Sequence, residues 1–506
     1  LKKNNVLNTA IKLYLKSRIA GISENYNDPL KLQHKQLHYL IKAASDTEFG
    51  RKFNFRKIKT AEQFAEQVPV HSYEMIKPYF QKAMEGNPSV TWPGRTSWFA
   101  KTSGSAEDKS KFIPVSIDSL HSAHYRSGLD ILAIYYDKVP DSELFQGKGL
   151  ILGGSHKLHE ANNGVRFGDL SAVLIENIYP VANYFRVPSK EIALMDNWDL
   201  KIDKLIEATS SLNVTNISGV PSWMLVLLKK MMAEKGADHV NQIWPNLELF
   251  IHGAVSFDPY YEQFKKIIPN PRMTYMETYN ASEGFFALQD TLNSKEMLLM
   301  LNYGIYYEFL PINSLHDYTK TITLDKVQPD VPYAMIISTN SGIWRYFLGD
   351  TIKFTAVNPY RIKITGRTKH FINAFGEELV IENADKAVTE ACRATNAEIV
   401  DYTAAPVYMT EENTGAHEWL IEFEKNPHDP EKFAKILDES LKKLNSDYEA
   451  KRSGNFILRF PKIKILPKGT FEKWLKSKNK LGGQHKVPRL SNERKYVEEI
   501  LRLSGL

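Results

Sequence analysis

Cysteine is the scarcest residue in this chain: Cys392 stands alone among 506 residues. A lone thiol excludes an internal disulfide and any multi-cysteine metal site, and it fits a reducing, cytoplasmic setting. Long apolar runs are missing as well. The longest convincing one, Trp223-Met224-Leu225-Val226-Leu227-Leu228, stops at Lys229, far short of the roughly 18 residues needed to cross a bilayer. A soluble protein without a membrane partner is expected. The stretch from Val6 to Ala20 lacks the continuous apolar block and small-residue cleavage site of a secretion signal. Its apolar residues recur at helical spacing among lysines, which predicts a surface helix packed by one face. The absence of repeats and low-complexity tracts excludes a solenoid or a long disordered tail.

Several catalytic signatures are absent too. The sequence has no G-x-S-x-G elbow, and His417-Glu418 lacks the second histidine of a zincin helix. Gly147-Lys148-Gly149 followed by Gly153 has the wrong spacing for a dinucleotide fingerprint. These gaps argue against covalent nucleophile catalysis and metal-dependent hydrolysis. A strong overall charge is lacking, at +6, but the balance is uneven. Residues 451–506 carry fifteen Lys/Arg against four Asp/Glu, or +11, which leaves −5 for the remainder. A basic C-terminal segment invites a polyanion.

What is present is a globular composition, 43% hydrophobic and 25% charged in 57.9 kDa, with room for more than one core. Through the first two thirds, β-rich runs at 149–154, 214–219 and 247–253 alternate with helical patterns such as Trp223 to Met232. This predicts an α/β lobe, with small residues at the carboxyl ends of strands, where such sheets bind ligands. Between Met297 and Phe354 the texture changes to longer strands with aromatics, which predicts a β-rich subdomain completing the lobe. Beyond it comes a compact α+β pattern: a helix from Ile381 to Ala394, strands at Ile399 to Met409 and Trp419 to Phe423, a helix from Pro430 to Leu444, and a strand from Lys462 to Leu466. That is enough for a separate small domain. The expected division is 1–367 for the large lobe and 368–506 for the small, mobile one.

Four stretches carry candidate chemistry. In Gly349-Asp350, at the end of the apolar run from Ile343, an acceptor-only carboxylate could take hydrogen bonds from both hydroxyls of a ribose; it could equally be a turn between strands. The loop Thr102-Ser103-Gly104-Ser105-Ala106-Glu107-Asp108-Lys109-Ser110-Lys111 offers hydroxyls, a glycine and lysines to phosphates, without Walker A spacing; a polar surface hairpin is the plainer reading. Within Tyr275-Met276-Glu277-Thr278-Tyr279-Asn280-Ala281-Ser282-Glu283-Gly284, Tyr279 could stack on a purine and Glu283 could help hold Mg2+; a buried strand with a satisfied glutamate is the alternative. Near the C-terminus, Lys486 first and Lys468 second, both on glycine-flanked loops, could bring positive charge to a transition state. A solvated basic face, or a nucleic-acid surface, would explain the same lysines, although exposed aromatics are not regularly interleaved among them.

Taken in order, these stretches, together with Gly366-Arg367-Thr368-Lys369 and Gly376-Glu377-Glu378, resemble the acyl-adenylate-forming superfamily. Within it, Tyr279-Asn280-Ala281-Ser282-Glu283, Tyr307-Glu308-Phe309-Leu310-Pro311, Gly469-Thr470-Phe471-Glu472 and Lys486-Val487-Pro488-Arg489 are most similar to the auxin-responsive acyl-acid amido synthetases of plants, the Gretchen Hagen family, and their bacterial relatives. The resemblance spans essentially the whole chain. It implies an ATP- and Mg2+-dependent ligase that adenylates a small carboxylic acid and transfers the acyl group to an amine, most naturally an amino acid. Ser103, Ser105, Lys111 and Lys486 would then be catalytic. Thr102, Gly104, Gly253, Ala254, Tyr279, Ser282, Asp350, Arg367 and Lys369 would bind nucleotide, and Glu283 would bind metal. The segment Arg367 to Lys369 would be a hinge. The expected partners are small molecules, not nucleic acid or membrane, and the expected state is a monomer or weak homodimer.

The sequence also departs from the family's pattern. Glu107-Asp108 stands where its phosphate loop usually has two glycines. An acyl-CoA ligase, sharing the first step, and a catalytically silent scaffold that only binds ligand are the two rival readings.

Overall fold

In the computed structural model, which describes residues 2–102, 111–153, 158–195, 197–254, 257–258, 260–368, 371–372, 374, 377, 379–407, 415–445, 448–449, 452, 458–478, 486–491 and 493–506, the large lobe is organised on one sheet of 11 strands. Arg186–Val187, Lys148–Leu152, Val214–Gly219, Leu249–Gly253 and Thr274–Ala281 follow one another in parallel. From Thr274–Ala281 onward every pairing is antiparallel, through Gly284–Leu288, Met297–Leu299, Tyr360–Arg367, Ile343–Val357, Pro332–Thr339 and Ile305–Pro311. Thr274–Ala281 is thus the seam at which an α/β sheet becomes a meander.

The parallel half is apolar on both faces because both are covered. Phe250 and Ile217 turn toward Met224, Leu227 and Leu228 of the helix Pro221–Lys235 and toward Leu205 of Trp198–Thr209. Leu249 and Met276 turn the other way, onto Ile134 and Tyr135 of Arg126–Lys138 and onto Leu15 and Ile22 of the first helix. The period of two along each strand sorts the side chains. Pro221 opens its helix at the first turn, where a missing N–H costs nothing, and Gly236 closes it at φ 62°. The first helix runs Lys2–Asn27, longer than Val6 to Ala20, and buries the expected single stripe.

Ile305–Pro311 is an edge strand of the sheet. Gln33, on the helix Pro29–Ala44, lies across it: Nε2 donates to the Leu301 and Ile305 carbonyls and Oε1 accepts from Tyr307 N. A buried amide thereby saves groups that an uncovered edge would expose. Lys111–Val115, Trp98–Thr102, Arg166–Gly168 and His159–Glu160 form a second, 4-stranded sheet.

In the C-terminal segment a 3-stranded sheet orders Glu398–Val407, Ala416–Lys425 and Lys462–Leu466. Trp419, Ile421 and Phe423 face the helices Ile381–Thr395 and Pro430–Leu444, whereas Leu420 faces Thr470–Ser477 and Lys495–Ser504. The first of these strands is described only to Val407, and the expected extension to Met409 lies outside the described residues. No described helix is long and apolar enough to cross a membrane.

Candidate active site

Gly253 closes its strand opposite Thr278, where a Cβ would come within 2.5 Å of the Thr278 carbonyl oxygen. Glycine is therefore required by the neighbouring backbone. Ala254 follows at φ 72°, a left-handed conformation that costs a residue with a Cβ on the order of 1 kcal/mol. The turn breaks the strand off at the carboxyl end of the parallel sheet. There Gly219, Gly253, Ala254 and the segment from Thr278 to Glu283 line one side of a cleft of about 2300 Å3.

Asp350 lines the same cleft, but not from the end of a strand as the sequence suggested. It sits inside the 15-residue strand Ile343–Val357. Opposite Ala334 to Ile336 this strand runs from Thr351 to Phe347, so it carries two extra residues. Gly349, at φ 83°, permits the resulting bulge, and Thr368 fastens it by donating from N and Oγ1 to the Gly349 carbonyl. The carboxylate is 6% exposed and accepts from the Tyr279 hydroxyl at 2.7 Å. Tyr279 packs its ring on Phe286, with centroids 4.8 Å apart, while still lining the cleft. Tyr279 and Asp350, singled out separately, therefore form a unit.

Lysines singled out in the sequence, Lys111, Lys468 and Lys486, are among those that line this space. Lys111 leaves its strand with its ammonium 5.3 Å from the Tyr73 ring centroid. Lys486 extends from the C-terminal segment and donates to the Ala254 carbonyl. Lys468 stands at the rim, 3.7 Å from Glu424. The backbone of Thr102 pairs with Lys111, and that of Arg367 with Asp350. Ser103, Gly104, Ser105, Glu107, Asp108, Lys369 and Gly376 lie outside the described residues.

Ser282 and Glu283 occupy the turn between Thr274–Ala281 and Gly284–Leu288, half-buried at the cleft wall. Among the described residues no three His, Cys, Asp or Glu side chains cluster as a metal cage. Mg2+ needs few protein carboxylates, because it keeps most of its coordination for water and phosphate oxygens.

Sequence reading passed over Glu277. It points to the same face as Tyr275 and Tyr279, two residues away on either side, and lines the cleft. Burial, reinforced by Asp258 and opposed by Lys295 and Lys363, pushes its carboxyl up to about 7. His252, its neighbour across the parallel pairing, stacks on Phe257 and is pushed down to about 3 by burial, so it is neutral. The alternation around Tyr279 was the available signal for Glu277.

Arg345, upstream of Asp350 on the same strand, and Glu377 are held in buried pairs. Arg345 forms a two-pronged ion pair with Glu308, with both contacts at 2.9 Å, and donates to the Ala65 and Val68 carbonyls. Burial raises the Glu308 carboxyl and Arg345 opposes the shift. Glu377 is likewise fully buried, 2.8 Å from His417 Nε2.

Sequence models described as the GH3 family N-terminal, central and C-terminal domains match residues 18–273, 298–367 and 382–495. The indole-3-acetic acid-amido synthetase GH3.4 of Arabidopsis thaliana is 23% identical over 92% of this chain and 90% of its own. Among solved structures, the GH3.15 acyl acid amido synthetase superposes with a TM-score of 0.79 at 17% identity, covering 97% of this chain and 96% of that one. A 2-hydroxyisobutyryl-CoA ligase in the postadenylation state, in complex with 2-HIB-AMP, gives 0.61 at 12% identity, covering 94% and 92%. The fold is that of adenylate-forming enzymes.

Proposed function

This chain belongs to the GH3 family, and from that premise we propose that it is an ATP-dependent acyl acid amido synthetase. A small carboxylic acid attacks the α-phosphate of ATP, forming an acyl adenylate and releasing pyrophosphate. An amine, that of an amino acid, then attacks the acyl carbon and AMP leaves. The observation that carries this reading is convergence: Ala254, Tyr279, Glu283, Asp350, Lys111 and Lys486, drawn from separated stretches, line one cleft.

Each residue has a task that its chemistry suits. Asp350, oriented by Tyr279, is an acceptor-only carboxylate suited to ribose hydroxyls. Gly253-Ala254 and Tyr279 form the adenine wall. Lys111 and Lys486 supply positive charge at the polyphosphate, where the first step needs neutralisation and in-line positioning more than covalent help. By the family resemblance, Thr102, Ser103, Gly104 and Ser105 are assigned to the phosphate loop, and Ser282, Arg367 and Lys369 to nucleotide binding. Glu283 would hold Mg2+, which when bound supplies charge to the phosphate oxygens.

We further assign 1–367 to the substrate-binding lobe and 368–506 to a domain that rotates about Arg367 to Lys369 between half-reactions. Nucleic acid plays no part: the +11 of residues 451–506 serves the polyphosphate. The protein acts in the cytoplasm as a monomer or weak homodimer. Its one thiol, Cys392, is pushed up to about 12 by burial and is inert there.

The test is acid-dependent ATP–pyrophosphate exchange with Mg2+ across aryl, indole and fatty acids. Exchange establishes adenylation, and its absence together with absent ATP binding returns the chain to a silent scaffold. The likeness to a CoA ligase fold keeps thioester formation as the second reading. AMP release driven by amino acids, and not by coenzyme A, decides for the amide.

A further inference from the structure

Lys486 reaches Ala254 from a short tether whose anchor is Arg489. Val487 is 3% exposed in the C-terminal core, and the Pro488 carbonyl accepts from Thr403 Oγ1. Arg489 and Ser491 bracket Ala404 with backbone hydrogen bonds of 2.8 and 3.1 Å. The tether is thus laid along the strand Glu398–Val407.

The Arg489 side chain then leaves this strand. Its guanidinium contacts Asp385, lies 3.5 Å from Asp401 and sits 5.0 Å from the Tyr402 ring centroid, all within the C-terminal segment. Its Nη2 also donates to the Tyr260 hydroxyl at 3.1 Å. Tyr260 is 2% exposed and packed in the core beneath the parallel sheet. Nearby, Gln263 Nε2 donates to the Ile399 carbonyl at 3.1 Å, while the ion pairs Lys229–Glu424 and Lys266–Glu398 are long, at 3.7 and 3.8 Å, and partly solvated. Partly solvated pairs of that kind hold little. The buried, charge-assisted contact is the one that fixes geometry.

We propose that Arg489, docked on Tyr260, is a positioning residue for Lys486: the buried guanidinium locks the Lys486-Val487-Pro488 tether to the large lobe so that the Lys486 ammonium arrives at the Ala254 carbonyl. The catalytic consequence rests on the amido synthetase reading above; the mechanical one does not. Arg489 and Tyr260 both border the cleft, and the role assigned to Arg489 runs through Lys486. Arg489 acts by setting where Lys486 stands, and the adenylating arrangement depends on it.

The test uses Tyr260→Phe in the full chain, which removes one hydroxyl and leaves the ring in its core. Hydrogen–deuterium exchange of the protein without substrate should speed up in peptides covering 249–254 and 486–491 and stay unchanged elsewhere. Unchanged exchange at both segments overturns the lock whatever the enzyme's activity, and a rise throughout the chain shows mere destabilisation and overturns it too. In pyrophosphate exchange, Tyr260→Phe should lower kcat on the order of tenfold, the scale of one hydrogen bond to a charged group, with KM for ATP shifted less than about twofold. In a Lys486→Ala background the same substitution should be silent. An undiminished further loss there means that Tyr260 does not act through Lys486. Failure of the amido synthetase reading, by contrast, would show as no exchange in the unaltered protein, with the deuterium result still deciding the lock.

Discussion

The Tyr279 hydroxyl donates to Asp350 Oδ2 at 2.7 Å, joining the seam strand of the large sheet to the bulge at Gly349. The bond aims a carboxylate that would otherwise swing on a bulge. Tyr279→Phe should therefore raise KM for ATP on the order of tenfold, with a smaller loss in kcat and little change in melting temperature, since the ring keeps its place on Phe286. Equal KM values for variant and parent would separate the pair from nucleotide binding.

Lys486→Ala should reduce pyrophosphate exchange by on the order of a hundredfold while leaving the circular dichroism spectrum unchanged, because the side chain is exposed. Lys468→Ala, removing a rim lysine beside Glu424, should cost less than about threefold. The reverse ranking would move the charge at the polyphosphate to Lys468.

Much of this architecture could be read from local pattern. The helix Pro430–Leu444 was legible in full because its proline start, apolar stripe and polar end are local signals. The same holds for Val214–Gly219, bounded by turn residues. The bulge that carries Asp350 was not legible, since it is defined by what lies opposite, Ala334 to Ile336, and pairing register is a tertiary property. Glu308 stood out only as part of a family-like stretch, and its pairing with Arg345 arises because Ile305–Pro311 and Ile343–Val357 flank the same strand. Arg489 was quoted as part of a signature without a role, because Tyr260 is remote in sequence and no local pattern announces it.

The Arg345–Glu308 pair makes a stability prediction. Glu308→Gln strands a buried guanidinium and should destabilise the fold by about 3–5 kcal/mol, seen as a large drop in the urea midpoint. Replacing both residues together, Glu308→Leu with Arg345→Met, should recover part of that loss, because two apolar groups do not need each other's charge. A double variant worse than the single one would mean that the Arg345 bonds to the Ala65 and Val68 carbonyls dominate.

Glu277 sets a pH dependence whose sign follows from its surroundings. Burial raises its carboxyl from the ordinary value of 4.5 to about 7. In the unfolded chain it ionises near its ordinary value, so between the two the unfolded state has released a proton that the folded state still holds. Folding then loses stability as pH rises from about 4.5 to about 7, and the loss is complete above that. Glu277→Gln keeps the shape and removes the charge. Its melting temperature should match the parent near pH 4 and exceed it by several degrees at pH 8, a gain on the order of 2 kcal/mol once the water in the cleft is allowed for. A constant offset across that range would mean that Lys295 and Lys363, the two cations opposing the shift, hold the carboxylate ionised throughout.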